Sequence, residues 1–439
     1  MQNKTPHTAQ ITGLSHEGRG IAHINGKIVF IANALPGETV SFIYTLNKTK
    51  YAEGEAVEII QPSPERVTPK CQHYAVCGGC SMQHFASSAQ MDFKQQVLLE
   101  QLAHFGGISP KQIISPMMGE EWGYRHKARL GVRFVAKKGG ALVGFREKNS
   151  RYLAEITRCE VLHPTVGLLI PELRSLISAL AASAQIAQIE VAVGDNATAL
   201  ILRNLIELEA ADLAMLKAFG QKHTLWIYLQ PKGPSTTYKL WPESSTELLA
   251  YAAPEQGVRY YFHPQDFTQV NPSINRQMLS QAIALLDLQP TDRVLDLFCG
   301  LGNFSLALAK QCQMVVGVEG DELMVKRATD NARANHITNA EFYLANLMEP
   351  EQAFSWLKQD YNKILLDPPR SGAQEILPLI AKLQVERIVY VSCNPATLAR
   401  DAGILVKEYG YCLLKAGVMN MFPQTSHVES IALLVKNPQ

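Results

Sequence analysis

From Asn271 onward the chain alternates helix-length amphipathic segments with short apolar runs. SINRQMLSQAIALLDL leads to RVLDLF, NFSLALAKQC to MVVGVEG, and DELMVKRATDNARANH to AEFYLAN; KILLDPPR, QEILPLIAKL, RIVYVSC and PATLARDAGILVKE follow, with YCLLKAGVMNMF and HVESIALLVK closing the series. Strands that take turns with helices in this way form an α/β unit around a doubly wound parallel sheet, and such sheets bind ligands at the carboxyl ends of their strands.

At 439 residues the chain exceeds one ordinary core, and three segments are expected. Residues 1–62 alternate short strands with glycine turns (HTAQITGL, EGRG, GIAHING, KIVFIANALPGETV, YAEGEAVEII) and end in the proline-rich QPSPERVTP, the pattern of a small OB-like β-barrel. Such barrels bind oligonucleotides or serve as structural mini-domains, and the pattern does not choose. Residues 63–268 read as an α+β domain without a catalytic motif, suited to holding a substrate, and residues 269–439 form the wound unit. The composition, 47% hydrophobic and 18% charged, is that of a soluble globular protein. No apolar run reaches the roughly 20 residues of a membrane span, and the polar start lacks a secretion signal, so a cytoplasmic protein with reduced cysteines is expected.

RVLDLF runs into Cys299-Gly300-Leu301-Gly302-Asn303 and then a helix, which puts glycines where backbone must approach a ligand. Asp296 precedes this loop, and Glu319 ends the next strand, where a carboxylate can accept both hydroxyls of a ribose. The missing third glycine argues against a dinucleotide site. Asn346, ending the third strand, is either an adenine-side contact or a turn asparagine. KILLDPPR sets Asp367 at a strand end before the rigid Pro368-Pro369-Arg370 turn. RIVYVSC presents Cys393 at the same sheet edge. A thiolate there can add to a ring carbon, so activating a poorly nucleophilic neighbouring carbon, and later leave. That chemistry also needs a general base, and Glu429 in HVESIALL stands in an otherwise apolar run. Alone, Cys393 could be a core cysteine and Glu429 a water-facing charge.

Two further clusters stand out. Cys71, Cys77 and Cys80 have C-x5-C-x2-C spacing, with Cys159 as a distant fourth thiol; zinc and an iron–sulfur cluster fit this spacing equally. Between Trp122 and Arg151 nine Lys and Arg residues face one acidic residue, Glu147, although net charge is only +1. This density suits phosphate contacts or a solvated basic face.

DLFCGLGNFSLALA, LLDPPRSG, YVSCNPATLARD and MFPQTSHVESIALL, in this order and spacing, resemble the RNA uracil-C5 methyltransferase family. The resemblance implies a class I (Rossmann-like) methyltransferase domain that uses S-adenosyl-L-methionine, with Cys393 as nucleophile adding to C6 of uracil and Glu429 as base. It also implies that Gln269, Phe298, Asn303, Glu319, Asn346 and Asp367 line the cofactor and target site; Gln269 and Phe298 rest on the resemblance alone. CQHYAVCGGCSMQH with EITRCEVL resembles the [4Fe-4S] site of ribosomal members, implying Cys71, Cys77, Cys80 and Cys159 as ligands. EGRGIAH and ANALPGETV resemble a TRAM domain, an RNA-binding module. Barrel, cluster and catalytic domain together resemble the branch acting on 23S ribosomal RNA, and a monomer is expected. The alternatives are a tRNA uracil-C5 methyltransferase, whose branch is shorter and lacks cluster and barrel, and a non-catalytic iron–sulfur RNA-binding protein, which would have no use for Cys393 or Glu429. An amino-group methyltransferase would want an aromatic residue in place of Arg370.

Overall fold

The computed structural model describes residues 5–244, 246–349 and 354–436. It divides into two compact units. One is the chain up to Val97 with Arg146–Tyr152 and Phe422–His427; the other is Leu98–Phe145, Leu153–Met421 and the chain from Val428.

The first unit holds a six-stranded sheet in the order His7–Gln10, Thr39–Asn47, Tyr51–Gln61, Lys27–Ala32, Gly20–Ile24 and Gly13–Leu14. HTAQITGL is therefore two short strands, not one. Val29, Ile31, Val40 and Phe42 alternate along their strands and meet Ile11, Ala22 and Ala52 in one apolar core. Glu38, wholly buried, accepts backbone N–H bonds from Leu35 (2.8 Å) and Ser63 (3.1 Å) and is gripped by Arg66 through Nε (2.5 Å) and Nη2 (2.8 Å).

The second unit contains two larger sheets. A six-stranded one runs in the order Tyr238–Trp241, Leu225–Leu229, Thr198–Asn204, Ile186–Val193, Lys127–Val135 and Gly140–Gly144. Its Lys127–Val135 strand alternates buried Ala128, Leu130 and Val132 with outward Arg129 and Arg133, so these two arginines share a face. Beside it the helix Ile170–Ala179, not expected from the sequence, buries Ile170, Leu173 and Ile177 at helical spacing.

The wound sheet has eight strands, in the order Ala340–Leu344, Met314–Glu319, Arg293–Leu297, Lys363–Leu366, Arg387–Ser392, Glu429–Lys436, Tyr411–Met419 and Gln112–Ile113. The first five run parallel, and Glu429–Lys436 is antiparallel to both its neighbours. Burial on both faces explains the near-continuous apolar runs of the central strands. The helix Pro272–Leu286 begins where Asn271 Oδ1 accepts the Ile274 N–H and Pro272 occupies the first position. The helix expected over 303–312 is shorter, Ser305–Ala309. Among the described residues, no helix is long and apolar enough to cross a membrane.

Candidate active site

The carboxyl ends of the parallel strands carry the site. After Leu297 the backbone turns through three positive-φ residues, Phe298 (65°), Gly300 (55°) and Gly302 (90°). Glycine takes this conformation freely, whereas Phe298 holds it at a cost of about 1 kcal/mol or more. A Cβ built on Gly300 meets nothing within 4 Å, so there is room directly over the loop. Glu319 closes the turn from the neighbouring strand: its Oε2 accepts the Gly300 N–H at 3.0 Å, and its Oε1 accepts those of Gly320 and Asp321 at 2.7 and 3.0 Å. Beneath the loop, fully buried Asp296 accepts from Ser305 Oγ at 2.5 Å, while its Oδ1 has no hydrogen-bond partner. Burial, with the charges of Asp367 and Glu319 added, pushes the Asp296 carboxyl up to about 7; loss of water likewise raises Asp367 to about 7.

Asn303 is held on several sides. It exchanges two amide hydrogen bonds with buried Asn275, at 2.9 and 3.0 Å. The Tyr251 hydroxyl donates to its Oδ1 (2.8 Å) and the Tyr260 hydroxyl to its carbonyl (2.7 Å), the two rings stacking at 4.7 Å. None of these three partners was legible as a site residue. The tyrosines lie on the separate Leu249–Ala253 and Val258–Phe262 hairpin, and no local pattern ties them to a glycine loop.

Cys393 follows the Arg387–Ser392 strand directly, and Glu429 begins the strand paired with it. The thiol is half-buried and Glu429 buried. Burial raises the Cys393 pKa, as do the nearby Glu429 and Asp367 carboxylates, while Arg370 opposes them through its charge and a hydrogen bond. Cys393, Glu429, Asp367 and Arg370 therefore form one electrostatic group. In sequence Arg370 stands out only as the end of the rigid turn and as the residue found where an amino-group methyltransferase has an aromatic.

Gln269 is half-buried in a loop fixed by its neighbours: Lys127 Nζ donates to the carbonyls of Pro264 (2.7 Å) and Asp266, and Arg327 Nε to Asp266 Oδ2 (3.0 Å). Lys127 is thereby drawn inward, away from the basic face, and burial lowers its pKa to about 8. Asn346 lies past the end of Ala340–Leu344; its Oδ1 accepts the Met348 N–H at 3.1 Å, as in an Asx turn, and the residue remains exposed.

Cys71, Cys77 and Cys80 share one loop of the first unit, each half-buried, and Cys159 belongs to the second unit. The Gly79 N–H donates to Cys77 Sγ at 3.4 Å, and Gly78 N–H and Lys148 N–H tie the loop to Arg146 and Val76 carbonyls. Lys148 Nζ lies 3.9 Å from the centroid of the Tyr74 ring. Among the described residues, no three His, Cys, Asp or Glu side chains converge as a ready-made set of metal ligands.

Residues 88–437 match the tRNA (uracil-5-)-methyltransferase family, and residues 7–57 match the TRAM domain. The chain belongs to the tRNA (uracil-5-)-methyltransferase family. Relatives within it include proteins named 23S rRNA (uracil(1939)-C(5))-methyltransferase RlmD. That of Legionella pneumophila (strain Paris) is 50% identical, over 99% of this chain and 98% of the relative. That of Francisella tularensis subsp. novicida is 51% identical, over 98% and 96%. The fold is that of the Pyrococcus abyssi tRNA (uracil-54, C5)-methyltransferase solved with S-adenosyl-L-homocysteine, with TM-score 0.73 at 23% identity and coverage of 98% and 99%. The fold and family expected of the carboxyl-terminal domain thus hold.

Proposed function

We propose that this chain methylates C5 of a uridine in 23S ribosomal RNA, using S-adenosyl-L-methionine. The observation that carries the reading is the meeting of Cys393 and Glu429 at adjoining strand ends, with Asp367 and Arg370 beside them. Full-length relatives named for 23S rRNA, at 50% identity, support the choice of substrate.

The residues present fit the methyl donor. Open space over Gly300, the orphaned Oδ1 of Asp296 and the Glu319 carboxylate together make a polar cradle at the strand ends. Glu319, Phe298, Asn303, Asp367, Gln269 and Asn346 would hold the donor and the target base, with Asn303 acting through a side chain already locked by Asn275. When bound, the donor supplies an electrophilic methyl group. Cys393 adds as thiolate to C6 of uracil, making C5 an enolate carbon able to take that methyl. Glu429 then removes the C5 proton, and the thiolate leaves C6 as the double bond re-forms. Arg370 stabilises the thiolate in the first step and as leaving group in the last.

Cys71, Cys77, Cys80 and Cys159 are proposed to hold a [4Fe-4S] cluster. The donors are all thiols, an amide N–H already points at Cys77, and Lys148 lies near Glu55, Cys77 and Cys80, where its ammonium could offset the charge of an anionic sulfur site. No step of methyl transfer runs through it. The TRAM domain is proposed to bind RNA.

The test is incubation of the purified protein with methyl-labelled donor and separate 23S rRNA and tRNA transcripts, followed by mass mapping. 5-Methyluridine at one position of 23S rRNA is expected; label on tRNA alone would favour the tRNA-directed reading, and no label on either would favour a non-catalytic protein.

A further inference from the structure

The first two turns of the helix Pro395–Tyr409 make a cluster of contacts with the loop that follows Asp367. Asn394 Nδ2 donates to the Arg370 carbonyl at 2.9 Å, and the Thr397 hydroxyl shares its one proton between that oxygen (3.3 Å) and the Asn394 carbonyl (3.0 Å). Arg400 Nη2 donates to the Ser371 carbonyl at 2.9 Å. Asp401, wholly buried, accepts the Ala373 N–H at 2.7 Å and the Tyr390 hydroxyl at 2.7 Å on Oδ2, and Arg400 on Oδ1 at 2.7 to 2.8 Å. Gly372 sits at φ +85° between them, and a Cβ there would stand 2.6 Å from Asp401 Oδ2 and 2.5 Å from Arg400 Nη2. The loop is therefore pressed against the helix with its carbonyls and one N–H individually held. Asn394, which holds the Arg370 carbonyl, directly follows Cys393 in the chain, so the loop that carries the Arg370 side chain is anchored beside the thiol.

We infer that Asp401 is a positioning residue of this enzyme: with Arg400 and Thr397 it fixes the backbone at Arg370, so that the Arg370 guanidinium is kept on the Cys393 thiol. The inference rests on the proposed role of Cys393 for its bearing on catalysis, but the geometry it asserts concerns only Arg370 and the thiol. Tyr390 makes the arrangement self-consistent. It lies on the strand that delivers Cys393, three residues earlier, so one buried carboxylate references both the strand of the thiol and the loop of its cation. Replacing Asp401 by Asn keeps the shape but turns an N–H₂ toward one of the donors it now accepts, which releases the loop.

The experiment is site-resolved alkylation of the full-length protein with iodoacetamide across a pH series, read on the Cys393 peptide by mass spectrometry. Loss of the Arg370 cation from the thiol disfavours the thiolate, so in Asp401→Asn the pH of half-maximal alkylation should move up by about one, with roughly tenfold slower alkylation at neutral pH. Affinity for S-adenosyl-L-methionine should stay within about twofold, because the glycine loop is untouched. In an Arg370→Ala background Asp401→Asn should add nothing further. Thr397→Val, which removes one hydroxyl from a half-buried position, should move the midpoint the same way by less, and serves if Asp401→Asn does not fold. An unmoved midpoint in the folded variants, or an undiminished effect of Asp401→Asn without Arg370, overturns the inference. Failure of the catalytic reading looks different: Cys393→Ala would then retain methyl transfer, whatever the alkylation shows.

Discussion

Ser392 and Ser430 face each other across two antiparallel strands, and this single pair sets Cys393, one residue beyond the first, next to Glu429, one residue before the second. The Ser430 hydroxyl reinforces the register by donating to the Ser392 carbonyl at 3.1 Å. The proposed nucleophile and base thus come from opposite chain directions on adjoining strands.

That arrangement separates the two roles by how each fails. Cys393→Ala should form no covalent RNA complex and transfer no methyl group, whereas Glu429→Gln should add and methylate but release product slowly. Denaturing gels with methyl-labelled donor are expected to show a labelled protein–RNA band for Glu429→Gln alone. Normal turnover by Glu429→Gln would assign the base elsewhere.

Asp296 makes stability depend on pH. Its carboxyl titrates near 7 in the fold against an ordinary 3.8, so the folded state holds a proton that the unfolded chain has lost over that window. Its contribution is therefore greatest at low pH and declines as pH rises from about 4 through 7. Asp296→Asn should remove this decline, gaining on the order of 2 kcal/mol over the parent at pH 8 and little at pH 4. Urea titrations at the two pH values measure it, and a gain of equal size at both would reject the assignment.

Glu38 gives the opposite slope. Burial works to raise its pKa, but Arg66 and the N–H groups of Leu35 and Ser63 outweigh burial and leave it lowered. Stability from this group is present above the ordinary 4.5 and lost as pH falls below it. Glu38→Gln should cost about 2 to 4 kcal/mol at neutral pH by leaving Arg66 unpaired in a half-buried site. Chemical denaturation followed on the first unit checks this, and a neutral substitution would mean that the carboxylate is dispensable there.

Protein purified without oxygen should be brown and carry about four irons per chain. Cys159→Ala should lower the iron content, measured by metal analysis and visible absorbance. Stoichiometric zinc without iron would replace the proposed cluster, and full iron in Cys159→Ala would call for a different fourth ligand.

The wound sheet was legible because its strands are buried on both faces and its helices carry apolar stripes, as at Ile274, Met278 and Leu285. The glycine loop and Glu319 could be read because the loop, the strand and the carboxylate are near one another in sequence. Asn275, Tyr251 and Tyr260 could not, since what joins them to Asn303 is tertiary packing across 28 to 52 residues of chain. The basic stretch could be counted but not resolved by residue: Lys127 lies two positions from Arg129, yet carbonyls more than 130 residues away capture its ammonium.

The strand Glu429–Lys436 is made after Tyr411–Met419, yet it lies between that strand and Arg387–Ser392. During synthesis the two flanking strands emerge first, with nothing to join them. A nascent chain that has reached Met419 already displays the thiol, but it has neither the wedge that completes the sheet nor Glu429, the proposed base. The order of translation therefore makes assembly of this enzyme's sheet and completion of the proposed catalytic pair the same late event.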